Sequence, residues 1–336
     1  MGKDTQKQEN MISPQFFPDG IKVDEESIFP MTVVATMSSG KSTMINALLG
    51  KEVLPSKNMA CTALKYSILD DDQDTKEIIC VTKTNGAVEV IEDNLQEELE
   101  KINQSQNVLE VFIRSHVNGV LNTDKTLLII DTPGPNNARN ISHKEVLHET
   151  LENIKGGLIL YILNASQLGI EDDFELLQIV RKRMETNPEL KILFVVNKID
   201  LLDEKYDSLE LCVKEAKKYV ADCGFKDINI IPVSAAAALV LKKVLNQEKL
   251  TRKERIDFTR YYDIYESKDY NMKKFSITED FQNQYEDIEV AGMKIRVGDL
   301  NQAIENTGIK LIEEYIQKNQ IMSSKRSKNT IKVKMK

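Results

Sequence analysis

The chain has 336 residues, 41% of them hydrophobic and 29% charged, enough for one large domain with a sizeable buried core. Its net charge of −8 at pH 7 argues against specific nucleic-acid binding, and no apolar run reaches the length of a membrane-spanning helix. Four cysteines, Cys61, Cys80, Cys212 and Cys223, lie far apart without C-x-x-C pairing; with no signal-peptide pattern, they read as reduced thiols of a cytoplasmic protein.

Residues 1–27 contain Pro14, Pro18 and Gly20 without helical period and are expected to be an irregular arm. From Ile28 to residue 246, apolar runs of strand length alternate with longer amphipathic stretches. The runs are "MTVVA", "LKYSIL", "EIICVT", "TLLIID", "GLILYIL", "KILFVVN" and "INIIPVS". Between the later ones sit "SHKEVLHETLENI", "DDFELLQIVRKRMET" and "DSLELCVKEAKKYVADCG", the second with Phe174, Leu177, Ile179 and Val180 on one side. Strand alternating with helix predicts an α/β unit, a mainly parallel sheet covered by helices on both faces. Gly50 and the Cys223–Gly224 pair are placed to end the first and third helices. Residues 247–296 turn polar and are assigned no element, as an insertion. A C-terminal helical segment is expected over 297–321, with Ile309, Ile312 and Ile316 at helical spacing and Thr307 as its N-cap. The tail, 322–336, includes "KRSKNTIKVKMK", basic and without an acid, and is expected to be solvated; a peripheral contact with an anionic membrane surface is the other use for such charge.

Five short motifs carry the chemistry. "ATMSSGKS", residues 35–42, matches the phosphate-binding pattern G-x-x-x-x-G-K-[ST] everywhere except at Ala35. Ser38, Ser39 and Gly40 form a loop whose N–H groups can wrap a phosphate; Lys41 reaches its outer oxygens, and Ser42 offers a hydroxyl to Mg²⁺. Thr43 then opens a helix whose positive end faces the same anion. "IIDTPG" ends a buried strand in Asp131, suited to the Mg²⁺ hydration shell, and its Gly134 N–H can bond a γ-phosphate. "VVNKID" places Asn197 to brace the phosphate loop, Lys198 to cover a base, and Asp200 to accept the N1–H and N2–H₂ of guanine, which adenine does not offer. "PVSA" puts backbone N–H groups of Ser234 and Ala235 within reach of the guanine O6. Thr62, in "PSKNMACTA", is the candidate for a second hydroxyl on Mg²⁺. Order and spacing make the ligand GTP or GDP.

With these motifs together, and above all with "GKSTMINALLGKEVLPSKNMACTA", "DTPGP" and "NKID", the chain resembles the dynamin-like large GTPases, especially the bacterial members, over roughly Ile28 to Leu239. The resemblance implies a P-loop GTPase domain over 28–246, with extra strands inserted between Thr62 and Asp131, and hydrolysis of GTP. Catalysis then falls to Lys41, Ser38, Thr62 and Gly134, and metal binding to Ser42, Thr62 and Asp131. It further implies a monovalent cation (K⁺ or Na⁺) at Ser38 and a homodimer formed through the nucleotide faces, with Arg139 able to reach a partner's site. Three features depart from the family pattern. Met37 stands where a polar residue would orient the attacking water, Pro135 follows D-x-x-G, and no long helical stalk is encoded in these residues. The alternatives are a GTP-binding switch or scaffold with negligible hydrolysis, working through an unidentified partner protein, and the GTPase domain of a larger membrane-remodelling protein.

Overall fold

The computed structural model describes residues 25–55, 64–72, 77–105, 107–122, 124–132, 142–154, 156–202, 208–267, 272–276, 287–290 and 293–334. Nine strands form one sheet: β1 Ile28–Ala35, β2 Lys65–Asp70, β3 Ile78–Lys83, β4 Val88–Ile91, β5 Val108–Ser115, β6 Thr126–Asp131, β7 Gly157–Asn164, β8 Leu190–Asn197 and β9 Ile230–Val233. Their order is β4-β3-β5-β2-β6-β1-β7-β8-β9. The half from β6 to β9 is parallel throughout. β2 joins it antiparallel to β6 and parallel to β5, while β3 runs antiparallel to both β5 and β4.

The helices are α1 Lys41–Leu49, α2 Leu95–Gln104, α3 Ser142–Asn153, α4 Glu171–Thr186, α5 Leu209–Asp222, α6 Ala235–Leu245, α7 Arg252–Tyr265, α8 Val297–Asn306 and α9 Ile309–Lys334. A hairpin of β10 Asp287–Val290 and β11 Met293–Arg296 precedes α8. β7 shows why the central strands read as unbroken apolar runs. Leu158, Leu160 and Ile162 point into one core with α1, α6, α7, α8 and α9, and Ile159, Tyr161 and Leu163 into another with α3, α4 and α5. Successive strand residues face opposite sides, so a sheet covered on both needs apolar residues at every position.

The expected strands are all present, and the stretch between Thr62 and Asp131 carries inserted ones, as the resemblance implied: β4 and β5 with α2 between them. Three features differ from expectation. The segment left unassigned as polar holds α7, started by a capping box in which Thr251 Oγ1 accepts from Glu254 N–H at 3.2 Å and Glu254 accepts from Thr251 N–H at 2.7 Å. Phe258, Tyr261 and Tyr265 are its buried stripe and join the larger core, so this helix packs with the sheet's own helices. The C-terminal segment is two helices, because Gly308 at φ +87° breaks the run. Thr307 closes α8 by donating to Ile304 O, and accepts from Ile309 N–H at the start of α9. Residues read as a solvated tail continue α9 to Lys334.

Between β7 and α4, Tyr161 O–H donates to buried Asp173 Oδ1 at 2.6 Å. Burial pushes the Asp173 carboxyl from 3.8 up to about 6, against the pull of the tyrosine hydrogen bonds. Between about pH 4 and 6 the folded chain keeps a proton that the unfolded chain has released, so this group's contribution falls as pH rises through that window. Above it the ionised form costs on the order of 2–3 kcal/mol. Asp173→Asn keeps an acceptor for Tyr161, and its Tm is expected to match that of the parent near pH 3.5, below the unfolded carboxyl's value, and exceed it at pH 8. Equal Tm values at both pH values in a calorimetric scan would refute this.

Candidate functional site

The C-terminal ends of β1, β6, β8 and β9 lie along one edge of the parallel half, where the connection from β1 leads to β2 on one side and that from β6 to β7 on the other, the place where open α/β sheets bind ligands. Every motif residue within the described set lies on this edge. Ala35 is the last residue of β1, buried and paired with Ile162, and is not among the positive-φ residues, so its departure from glycine carries no backbone strain. Ser38 at φ +63° and Gly40 at φ +89° turn the loop left-handed, the conformation that points successive N–H groups to one concave side. Thr36 and Ser39 join their hydroxyls at 2.8 Å, so the Ser39 side chain shapes the loop from within. α1 then begins at Lys41 with no side-chain cap on its first turn, where Ser42 and Thr43 sit half-buried. Its leading N–H groups are left for an anion.

Asn197 locks this loop to the far side of the edge. Its Nδ2 donates to Ser39 O at 2.9 Å, and its Oδ1 accepts from Ala235 N–H at 3.1 Å. Gly40 is required for that approach: a Cβ there would stand 2.4 Å from Asn197 Nδ2, on a backbone that side chains rarely adopt. Lys41 Nζ donates to Asp131 Oδ1 across the mouth of the loop. Burial pushes the Asp131 carboxyl above the usual range, and Lys41 pulls it back. Thr132, next in "DTPG", donates to Val33 O at 2.8 Å and ties β6's exit to β1. Thr62 and Gly134, like Pro135 and Arg139, lie outside the described residues.

At the other end of the edge, Lys198 takes a left-handed turn at φ +68°, and Asp200 accepts from Ser234 Oγ at 2.6 Å. The same hydroxyl accepts from Ala237 N–H and caps α6. For one expected contact, the donors meet other acceptors in the structure. The N–H groups of Ser234 and Ala235, read as donors to a guanine O6, donate here to Thr307 O and Asn197 Oδ1. Their observed work is to brace Asn197 and the α8–α9 junction.

Sequence reasoning missed α7's contribution. Buried Tyr261 carries the Arg260 guanidinium 4.7 Å from its ring centroid. Burial, then the charge of Asp200, pushes the Tyr261 phenol up. The signal was the capping box "TRKE" followed by aromatic residues at helical spacing. A donor-lined loop, a lysine, a buried carboxylate and a second carboxylate further along the edge form a set that fits a phosphorylated nucleotide with Mg²⁺.

Comparisons with known proteins point the same way. The family model of the Dynamin family matches residues 31–199. GTPase Era of Borreliella burgdorferi is 29% identical over 144 residues, covering 42% of this chain and 43% of its own. A probable transmembrane GTPase, FZO-like, chloroplastic, of Arabidopsis thaliana is 28% identical over 231 residues, covering 66% of this chain and 20% of its own. A solved oligomerised bacterial dynamin pair aligns over 72% of this chain and 45% of its own, with 21% identity and a TM-score of 0.49. The chain thus spans less than half the length of these relatives. Its fold is that of a P-loop GTPase, and the match across half its length places it in the family: this chain belongs to the dynamin family of GTPases.

Proposed function

We propose that this chain binds GTP with Mg²⁺ and hydrolyses it to GDP and phosphate, faster when two copies meet through their nucleotide faces. The observation that carries the reading is Asn197, which holds the phosphate loop through Ser39 O on the strand edge that also presents Asp200. Loop N–H groups from Ser38, Ser39 and Gly40, with Lys41 and the α1 N-terminus at Ser42 and Thr43, take the phosphates. Asp200 accepts the two guanine donors, Lys198 covers the base, and base contact through Ala235 N–H shares that donor with Asn197. Ser42, Asp131 and Thr62 are the groups to hold Mg²⁺, which neutralises phosphate charge when bound. Water adds to the γ-phosphorus as the bond to the β–γ bridging oxygen breaks, and Lys41 counters the charge that develops. Ser38 takes K⁺ or Na⁺ in the same role, and Thr62 and Gly134 close over the γ-phosphate.

Two observations support self-association. Met37 (59% exposed) and Leu201 (57% exposed) stand on this edge, and apolar side chains so placed favour being covered. Met37 also offers a water only a weak thioether acceptor, so an isolated site positions it poorly. The nucleotide domain proposed for residues 28–246 keeps α7, α8 and α9 packed on it. Among the described residues no helix is long and apolar enough to cross a membrane, and any membrane contact is proposed as peripheral.

Competition against labelled GDP decides the ligand. GTP should displace it, with ATP weaker by about a thousandfold or more, within the ~10⁴–10⁵ that a hydrogen-bonded site reaches; equal displacement by ATP refutes Asp200's role. Phosphate release per chain should rise with protein concentration and fall when K⁺ is replaced by choline. Flat activity at the no-protein background selects a GTP-binding switch instead.

A further inference from the structure

At the opposite end of the sheet, β2 runs antiparallel to β6, so its last residue, Asp70, lies far from Lys41 and Asp131. Asp70 pairs with Ser115, the last residue of β5, and His116 follows at once. Asp72 comes from the turn after β2. The three offer ligand atoms that all lie within 4.8 Å of one another. His116 Nδ1 is 3.4 Å from Asp70 Oδ1 and 3.9 Å from Asp72 Oδ1. A tetrahedral ion with bonds of about 2.0–2.1 Å keeps its ligand atoms roughly 3.3 Å apart, close to these separations.

A second observation is independent of that spacing. Asp70 is 2% exposed, and its Oδ2 is a buried atom without a hydrogen-bond partner; the buried His116 Nδ1 also has none. Asp70 Oδ1 accepts from Val117 N–H at 2.8 Å, whereas Oδ2 has no donor of its own. Of the other charges here, Arg114 is turned to Asp71. An orphaned carboxylate oxygen and an orphaned imidazole nitrogen thus belong to two of the three residues whose ligand atoms converge.

We propose that Asp70, Asp72 and His116 bind one divalent transition-metal ion of the zinc type, with water completing the coordination. Imidazole with carboxylates suits Zn²⁺ over Mg²⁺, so this ion is distinct in chemistry as well as place from the nucleotide's. Its role is structural. Asp72 Oδ2 accepts from Asn122 N–H at 3.1 Å, and Gln320 of α9 donates to Asn122 Oδ1 at 3.1 Å. The ion therefore ties the turn after β2 to β5's exit and, through Asn122, to α9.

The test is calorimetric titration of Zn²⁺ into the full chain with excess Mg²⁺ and GDP, repeated with Co²⁺ for its absorption spectrum. One ion per chain is expected, with a Co²⁺ spectrum free of thiolate charge-transfer bands, and Zn²⁺ should raise Tm. Asp72→Asn, at an exposed position, and His116→Gln should each weaken binding by more than the roughly 10–100-fold that losing an outer partner costs, and abolish the Tm rise. GDP affinity should be unchanged in both. The proposal is overturned by absence of Zn²⁺ binding, by thiolate bands, or by binding that both variants retain in full.

Discussion

Lys41→Ala is expected to weaken GDP and GTP binding by about 10- to 100-fold, the worth of one charge-assisted contact, and to reduce turnover with it. The same change has a separate structural effect. Lys41 Nζ is bound to Asp131, whose carboxyl is buried and already pushed up by that burial. Without the ammonium, Asp131 either stays ionised and uncompensated, which lowers stability, or takes a proton. Adding Asp131→Asn removes the buried charge and should restore Tm while leaving nucleotide binding lost. Calorimetry and labelled-GDP competition on the single and double variants separate the two effects. A double variant that regains nucleotide affinity would overturn the assignment of Lys41 to phosphate.

Lys242→Met is expected to destabilise the chain by about 3–5 kcal/mol, a Tm fall of roughly 5–10 °C. Lys242 Nζ, buried, donates to Glu313 of α9 and approaches Leu48 O at 3.4 Å and Asn118 O at 3.3 Å. One ammonium thus joins α6, the end of α1, the segment after β5, and α9. Burial pushes the Glu313 carboxyl up and Lys242 pulls it down, so removing the lysine strands a buried acid. Replacing the pair together, with Lys242→Met and Glu313→Leu, should recover most of the loss, because no unpaired charge remains. Urea unfolding of the three proteins reads this out directly. A single variant as stable as the parent would show that the pair contributes nothing.

Much of the fold was legible because its signals are local. β1, β6, β7, β8 and β9 are unbroken apolar runs, since a sheet covered on both faces asks for apolar residues at each position. The phosphate loop is a strand, a turn of small residues and a helix within one stretch of chain, and "NKID" is a strand end with its turn. Such pieces state their geometry in a few consecutive residues. Between Thr62 and Asp131 the apolar runs marked β2 and β3, the resemblance implied further strands, and β4, β5 and α2 were not singled out.

The rest depends on contacts between residues distant in the chain. Asn197's grip on Ser39, Lys242's on Glu313, and the meeting of Asp70 with His116 each need strands or helices to be neighbours in space, and no local pattern encodes that neighbourhood. α7 was hidden because only Phe258, Tyr261 and Tyr265 are buried, while its solvent side supplies the charge that made the segment look unstructured. The N–H groups of Ser234 and Ala235 follow the same rule: their sequence placed them on the right edge, but which acceptor each finds in the structure was decided by where Thr307 and Asn197 came to rest. Sequence by itself determined most strands of the sheet, the phosphate loop and the turn that carries Asp200, whose geometry is written within single turns of chain. The order of the sheet, the bracing of the site and the far-end cluster were decided only by tertiary packing, because burial sets the worth of each pairing and burial is a property of the assembled fold.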